Sequence, residues 1–388
     1  MKKHINVGVA GFGYWGPNLV RNFKSLPGCN LKMICDVDVG RLAALQKMYP
    51  DIAAENRYEQ MLGSAVDAVV VATPVKHHFS MAKAALEAGK HVLVEKPMAA
   101  TSVQCEELID IAHKNGLILM AGHTFLYSPA VRKIKEIMDH GDLGQIRYIC
   151  ARRLNLGLCQ KEINAAWDLA PHDISIVLHL LGQQPTTVNC SGRSCTTPGI
   201  EDVTGMFLNF ANDCSAVIHS SWLHPRKVRE MTIVGSKRML LYDDVAAQEK
   251  ITLFDIRVDR LERQDKLAEF KFEYHQGDAS SPRLTQEEPL KAECSHFLEC
   301  IREGKTPQSC GLRGLEVVRI LEAASISLRL RGSAIPVTAP KSAPVSDDLT
   351  VGEIANTDWQ SWPAPIAASR SALLEFSGLK HEAVPCVG

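Results

Sequence analysis

Apolar residues in this chain follow two different spacings. Up to about residue 122, short apolar runs at 5–10, 31–36, 67–72, 91–97 and 117–121 read as strands. Between them Leu19, Val20 and Phe23, then His78, Ala82, Ala85 and Leu86, then Ala100, Val103, Leu108 and Ile111 recur at helical spacing. Strand alternating with helix predicts a doubly wound parallel sheet with right-handed crossovers. Beyond residue 126 the texture changes. A helix through Val131, Ile134, Ile137 and Met138 leads into a strand at 145–150. Strands at 188–193, 203–210, 216–222, 228–234, 238–242 and 251–254 then follow without helices between them, so a large, mainly antiparallel sheet is expected. One helix is embedded there, carrying residues 166–173 and turning Ile176, Leu180 and Leu181 inward. Helical spacing returns at 288–304 and 312–330, in segments expected to pack back on the first sheet. The fold class is thus α/β followed by α+β, divided at 1–125, 126–331 and 332–388. The last part holds six of the nineteen prolines and little regular apolar spacing, which fits a tail or an arm anchored by Trp359 and Trp362.

Composition narrows the function classes. Lysine plus arginine number 43 against 44 acidic residues, with no basic block, which gives a nucleic-acid or membrane-surface role little support. Twelve cysteines lie scattered without a Cys-x-x-Cys pair, so reduced buried thiols are expected rather than disulfides or a zinc site, and no metal is expected. The first strand begins almost at residue 1 and no run of 18 apolar residues occurs, so the expected location is the cytoplasm.

Chemistry gathers at strand ends. The first strand runs into Gly11-Phe12-Gly13-Tyr14-Trp15-Gly16 and then a helix, the context in which a Gly-x-Gly-x-x-Gly turn cradles a pyrophosphate. The second ends in Asp36, whose carboxylate suits both ribose hydroxyls of NAD and repels the 2′-phosphate of NADP; Arg41 close behind offsets part of that repulsion. Ala72, Thr73, Pro74 and His78 follow the third strand, Glu95 and Lys96 end the fourth, and His123 ends the fifth; all are expected to line the dinucleotide. In the second half, Asp168 and His172 are four residues apart on one helical face, so the acid can orient the imidazole.

Oxidising a secondary alcohol needs a proton acceptor beside the hydroxyl while hydride leaves for the cofactor. His172 is read as the base and Lys96 as the group polarising the substrate oxygen, with the two roles exchangeable. Tyr127, Arg153, Asn155 and Trp167 complete the candidate substrate contacts with Lys96, Asp168 and His172. The bland readings are a Glu95–Lys96 surface ion pair, an ordinary Asp168–His172 helix pair, or half a metal site with Asp173.

These residues together carry a resemblance. Gly11 to Gly16, Ala72-Thr73-Pro74 with His78, Glu95-Lys96-Pro97, residues 122–125 and residues 167–173 resemble the Gfo/Idh/MocA oxidoreductases over about residues 5–330. The most similar branch is the nucleotide-sugar 3-dehydrogenases of bacterial surface-polysaccharide pathways, which act on UDP-N-acetylglucosamine or its uronic acid. The resemblance implies a Rossmann domain, an open sheet often used between subunits, and assemblies of two or four chains. It also implies a Lys-Asp-His set falling on Lys96, Asp168 and His172, a cis peptide before Pro97, and a nicotinamide cofactor, which Asp36 specifies as NAD. The segment after Gly332 has no counterpart in that pattern. The rivals are a keto-sugar reductase, a free-sugar or inositol dehydrogenase, and an NAD(H)-binding sensor without turnover; the presence of both Lys96 and His172 favours an enzyme.

Overall fold

The computed structural model describes residues 4–157, 160, 162–261 and 271–337, so Trp359, Trp362 and the rest of the expected tail after 337 lie outside the described residues. The first part runs β1 (Ile5–Ala10), α1 (Gly16–Ser25), β2 (Cys29–Cys35), α2 (Val39–Met48), β3 (Ala53–Glu55), α3 (Tyr58–Leu62), β4 (Ala68–Val71), α4 (Val75–Glu87), β5 (His91–Glu95), α5 (Ser102–Lys114) and β6 (Leu119–Gly122). After a 3-10 turn at Thr124–Tyr127 come α6 (Pro129–Asp139), β7 (Ile146–Leu154), α7 (Ala165–Leu181), β8 (Thr187–Arg193), β9 (Val203–Asn209), β10 (Ser215–Ser221), β11 (Val228–Gly235), β12 (Met239–Asp243), β13 (Ile251–Leu261) and β14 (Lys271–Ser280). The described chain closes with α8 (Pro289–Glu303), α9 (Gly311–Arg329) and the short β15 (Ile335–Pro336).

The first sheet is parallel, in the order β3-β2-β1-β4-β5-β6. Strand order reverses between β1 and β4, so the loops that follow them diverge and leave a crevice at the carboxyl edge. All four residues of β4 are buried, as a strand covered on both faces requires. On one face Leu19 and Phe23 of α1 meet Phe297 and Leu298 of α8. On the other, Leu86 of α4 and Leu108 of α5 meet Leu315 and Val318 of α9. The late helices therefore return to the first sheet, as their spacing suggested.

The second sheet has nine strands, in the order β14-β13-β12-β11-β7-β10-β9-β8-β15, antiparallel except for the β7–β10 pair. Ile134 of α6, Ile174 and Val177 of α7, and Leu321 of α9 pack on one face against Ile149, Ile218 and Ile233. The opposite face alternates outward, leaving Tyr148 and Phe207 uncovered. Three strands escaped the sequence reading, among them β15, which is only two residues long. β3 is three residues long and too short to show a period, while β14 keeps its large apolar residues Phe272 and Tyr274 exposed.

α7 brings chemistry to the first sheet. Asn164 caps it by accepting from the Trp167 N–H at 3.1 Å, and Gly182 ends it in the left-handed region. Pro171 lies inside the helix and removes one rung of its hydrogen-bond ladder.

The glycine turn is close-packed. A Cβ on Gly16 would lie 2.2 Å from the carbonyl oxygen of Gly11, a contact only a backbone shift could relieve. Gly16→Ala should therefore cost about 1–3 kcal/mol of stability. Thermal and denaturant unfolding would check this, and an unchanged midpoint would mean that the turn yields freely.

Candidate active site

The glycine turn sits at the carboxyl edge of β1. Gly11 has φ +102, and a Cβ there would meet the Ala72 carbonyl oxygen at 2.5 Å, so β1 and β4 approach as closely as only glycine allows. Around Gly13 the nearest neighbour of such a Cβ is an Arg41 nitrogen at 3.6 Å, which leaves this side open. α1 begins at Gly16 with no side-chain cap; Pro17 carries no N–H and the Asn18 N–H already bonds to the Trp15 carbonyl at 3.0 Å, so a pyrophosphate here would be met by the backbone of the turn that precedes the helix. Tyr14 is exposed and Trp15 partly so, and the Trp15 indole lies near enough to Glu95 to favour its ionised form.

Asp36 is buried just beyond β2. It accepts the Phe12 N–H at 2.6 Å and the Asp38 N–H at 2.8 Å, with the Arg41 guanidinium 3.6 Å away. Two backbone donors thus hold the carboxylate at the place where the adenosine ribose of a dinucleotide would come. Ala72, Thr73 and Pro74 lead from β4 into α4, as expected. His78 departs from the expectation of a cofactor contact. Its ring nitrogens lie 2.8 Å from the Pro97 carbonyl and 2.7 Å from that of Thr73, so it braces two strand ends from within.

Lys96, just after β5, reaches α7. Its Nζ donates to the Asp168 carbonyl oxygen at 2.8 Å and lies 3.7 Å from the Asp168 carboxylate, and the Lys96–Pro97 peptide is cis. Burial pulls the ammonium below the ordinary lysine range; Asp168 and Glu95 pull the other way, and Arg153 adds to the lowering. The other oxygen of Asp168 accepts the Trp222 indole N–H at 2.9 Å. The expectation that Asp168 orients His172 is therefore corrected. Its carboxylate is shared between Lys96 and Trp222, and Nδ1 of His172 is buried without a partner. Burial first, then the charges of Lys96, Arg153 and Arg229, hold His172 well below its usual range and hence neutral. Its ring meets Phe125 edge-on at 5.1 Å.

Arg153 makes two 2.8 Å bonds to Asp173 and stacks over Phe125 at 4.6 Å. Only its buried Nη1 lacks a partner, leaving one donor for a ligand. Tyr127 is corrected as a substrate contact: it is buried, with its hydroxyl 3.0 Å from Ser309. Just past β7, the Asn155 N–H donates to the carbonyl of Ser221, the last residue of β10. Trp167 donates to Ser325 at 2.8 Å and helps line a cavity of about 300 Å³ with Val75, Ala100, Asn164 and Ile200. His123 is buried with both ring nitrogens unpartnered. Sequence reading gave Phe125 no role beyond its place in the 122–125 segment, and it missed Trp222 and Glu293, which belong to no motif and reach the site through the fold alone.

Unpartnered buried atoms on Glu95, His123 and His172 together with the open glycine turn fit a nicotinamide dinucleotide laid along the crevice. A parallel dinucleotide-binding sheet with an ammonium and an imidazole at its carboxyl edge defines a nicotinamide-dependent oxidoreductase. Comparison with known proteins agrees. Residues 5–123 match the GFO_IDH_MocA model (oxidoreductase family, NAD-binding Rossmann fold) and residues 131–241 match the GFO/IDH/MocA C-terminal domain. The chain belongs to this family of NAD-binding oxidoreductases. It is 26% identical to UDP-N-acetylglucosamine 3-dehydrogenase of Acidithiobacillus ferrooxidans, over 84% of this chain and 97% of that one. It is 24% identical to scyllo-inositol 2-dehydrogenase (NAD(+)) of Bacillus subtilis, over 79% and 89%. The solved structure of the A. ferrooxidans protein GnnA superposes with a TM-score of 0.71 at 23% identity, covering 84% of this chain and 98% of that one, a likeness of fold. Among the described residues ten cysteines are free, no group of side chains could hold a metal ion, and no helix is long and apolar enough to cross a membrane.

Burial lowers the pKa of His123 from 6.5 to about 4, with Lys96 adding to the effect. The unfolded chain then binds more protons between these values, so His123 costs stability as pH falls from 6.5 towards 4, up to about 3 kcal/mol. His123→Gln should flatten that part of the stability profile. Urea unfolding of both proteins at pH 7 and pH 4.5 checks this; equal losses in the two would show that His123 does not contribute.

Proposed function

We propose that the protein oxidises a secondary hydroxyl, at C3, of a nucleotide-linked sugar of the UDP-N-acetylglucosamine or uronic acid type, using NAD. The observation that carries the reading is the Lys96 ammonium, drawn below its ordinary range by burial and held against Asp168 beside an open glycine turn. When bound, the nicotinamide ring supplies the hydride acceptor. Gly11 to Gly16, Asp36, Ala72, Thr73, Glu95 and His123 would hold that cofactor.

Lys96 is the proton acceptor, reversing the order in which the two bases were ranked from sequence. A base works best with a pKa near the working pH, and the depressed lysine approaches it from above. His172 is pushed far below that range and has no acid to stabilise its imidazolium. Its neutral ring instead offers one hydrogen bond to orient the substrate hydroxyl. Asp168, tied by Trp222, positions Lys96 and stabilises its charged form once the proton has arrived. The cavity beside Trp167 gives the part of the substrate beyond the reacting carbon somewhere to lie. The similarity to UDP-N-acetylglucosamine 3-dehydrogenase across nearly its whole length supports the nucleotide-sugar class. Similarity to the inositol enzyme keeps free polyols in the test.

NADH fluorescence with UDP-, dTDP- and GDP-sugars, free hexoses and inositols should show turnover highest with a UDP-linked sugar. Turnover confined to a free polyol would overturn the substrate assignment. Lys96→Ala should keep NAD binding, lose at least about 100-fold in kcat, and recover part of it with added small primary amines. Unchanged turnover would remove Lys96 from the chemistry.

Asp36 is the basis for preferring NAD. Asp36→Ala should raise the kcat/KM ratio of NADP to NAD by about tenfold or more, with Arg41 left to meet the 2′-phosphate. A wild-type protein that already favours NADP would contradict this reading of the β2 end.

A further inference from the structure

Behind Lys96 lie two acids, of which Glu293 has no part in the reading above. Glu95 ends β5, paired in register with Gly122 of β6, and a Cβ on Gly122 would come within 3.1 Å of Glu95 Oε2. Glu293 enters from α8, fully buried, and its Oε2 accepts from the Thr124 hydroxyl at 2.7 Å. Both carboxyl groups thus converge on residues 122–124. Oε1 of each is buried and has no hydrogen-bond partner.

Charge counting sets the constraint. Lys96 is the cation acting on Glu95, and Asp168 already draws on it. The neighbouring Arg153 is paired with Asp173. One ammonium therefore faces Asp168 and Glu95, with Glu293 buried beyond Glu95, and two like charges in such surroundings are not both retained without compensation. We propose that Glu95 and Glu293 share a single proton, and that Glu293, acting through Glu95, is a positioning residue that sets how readily Lys96 releases its own proton.

The surrounding groups agree. Burial raises Glu95 to about 7, with Lys96 and the Trp15 indole opposing. Burial, then the charge of Glu95, raises Glu293 well above the carboxylate range, and only the Thr124 hydroxyl opposes. The other titratable groups packed here are His123, kept neutral by burial, and the Cys294 thiol, held protonated by burial and both glutamates. Across the cleft stand Asp168 and Arg153. With the pair singly protonated, Lys96 faces a spread charge of one. With Glu293 neutralised, Glu95 ionises fully and holds the ammonium more tightly.

The kinetic half of the proposal rests on Lys96 as proton acceptor; the shared proton does not. Carbon-13 NMR of glutamate-labelled wild-type protein should show two carboxyl groups still protonated, wholly or in part, near pH 6. Titration of every glutamate close to the ordinary value of about 4.3 overturns the pair. In Glu293→Gln, a folded, NAD-binding protein should lose that signal. Its kcat/KM for oxidation should reach half-maximum at higher pH, by on the order of one unit. Glu95→Gln should move the midpoint the other way, and Glu293→Asp should restore the wild-type profile. Midpoints that stay fixed, or move together in both glutamine variants, overturn the coupling. Turnover surviving in Lys96→Ala would instead sink the assignment of the base while leaving the NMR result to stand.

Discussion

The reach of Lys96 from the end of β5 to the first turns of α7 is the contact on which the site depends. It joins a strand of the parallel sheet to a helix that covers the other sheet, so the candidate site draws on separate parts of the chain. Such a join is costly unless the charge is matched, and the matching here is divided. Asp168 offers both its carbonyl and its carboxylate, while Trp222 from the end of β10 fixes the second carboxylate oxygen. The lysine is consequently neither a surface ion pair nor a fully neutralised interior one. It remains responsive to small changes in nearby charge, as the proton acceptor proposed above should be.

Around that contact the fold places groups with unspent hydrogen-bonding capacity. His123, His172, Glu95 and Arg153 each keep a buried polar atom without a partner. In a core these would be defects, since an unmet donor or acceptor costs about 1–3 kcal/mol. Gathered in one crevice they are better understood as capacity reserved for ligands. The crevice also contains the place where strand order reverses, and neighbouring loops part there for reasons of topology alone.

Much of this was legible in residue order. The alternating strand and helix pattern, the glycine turn, Asp36 and Lys96 lie in contiguous segments whose spacing reports local geometry. What escaped was pairwise and distant. Asp168 and His172 sit four residues apart, so spacing suggests that they interact, yet spacing cannot reveal the competing pull of Lys96 and Trp222 from 72 and 54 residues away. Likewise His78 and Tyr127 looked like contacts because they follow strands, whereas both turn inward onto Pro97 and Ser309. Glu293 is one acid on an amphipathic helix, and nothing nearby in the chain marks it as buried.

The return of α8 and α9 to the first sheet has a consequence for biosynthesis. All six strands of that sheet are encoded by residue 122, yet Phe297 and Leu298 help cover one face and Leu315 and Val318 the other. A nascent chain leaving the ribosome therefore carries a partly naked apolar sheet while some 170 further residues are added, and hydrophobic surface left waiting in this way invites aggregation. The amino-terminal half on its own should thus be a client for chaperones, and truncations that stop short of α8 should be insoluble.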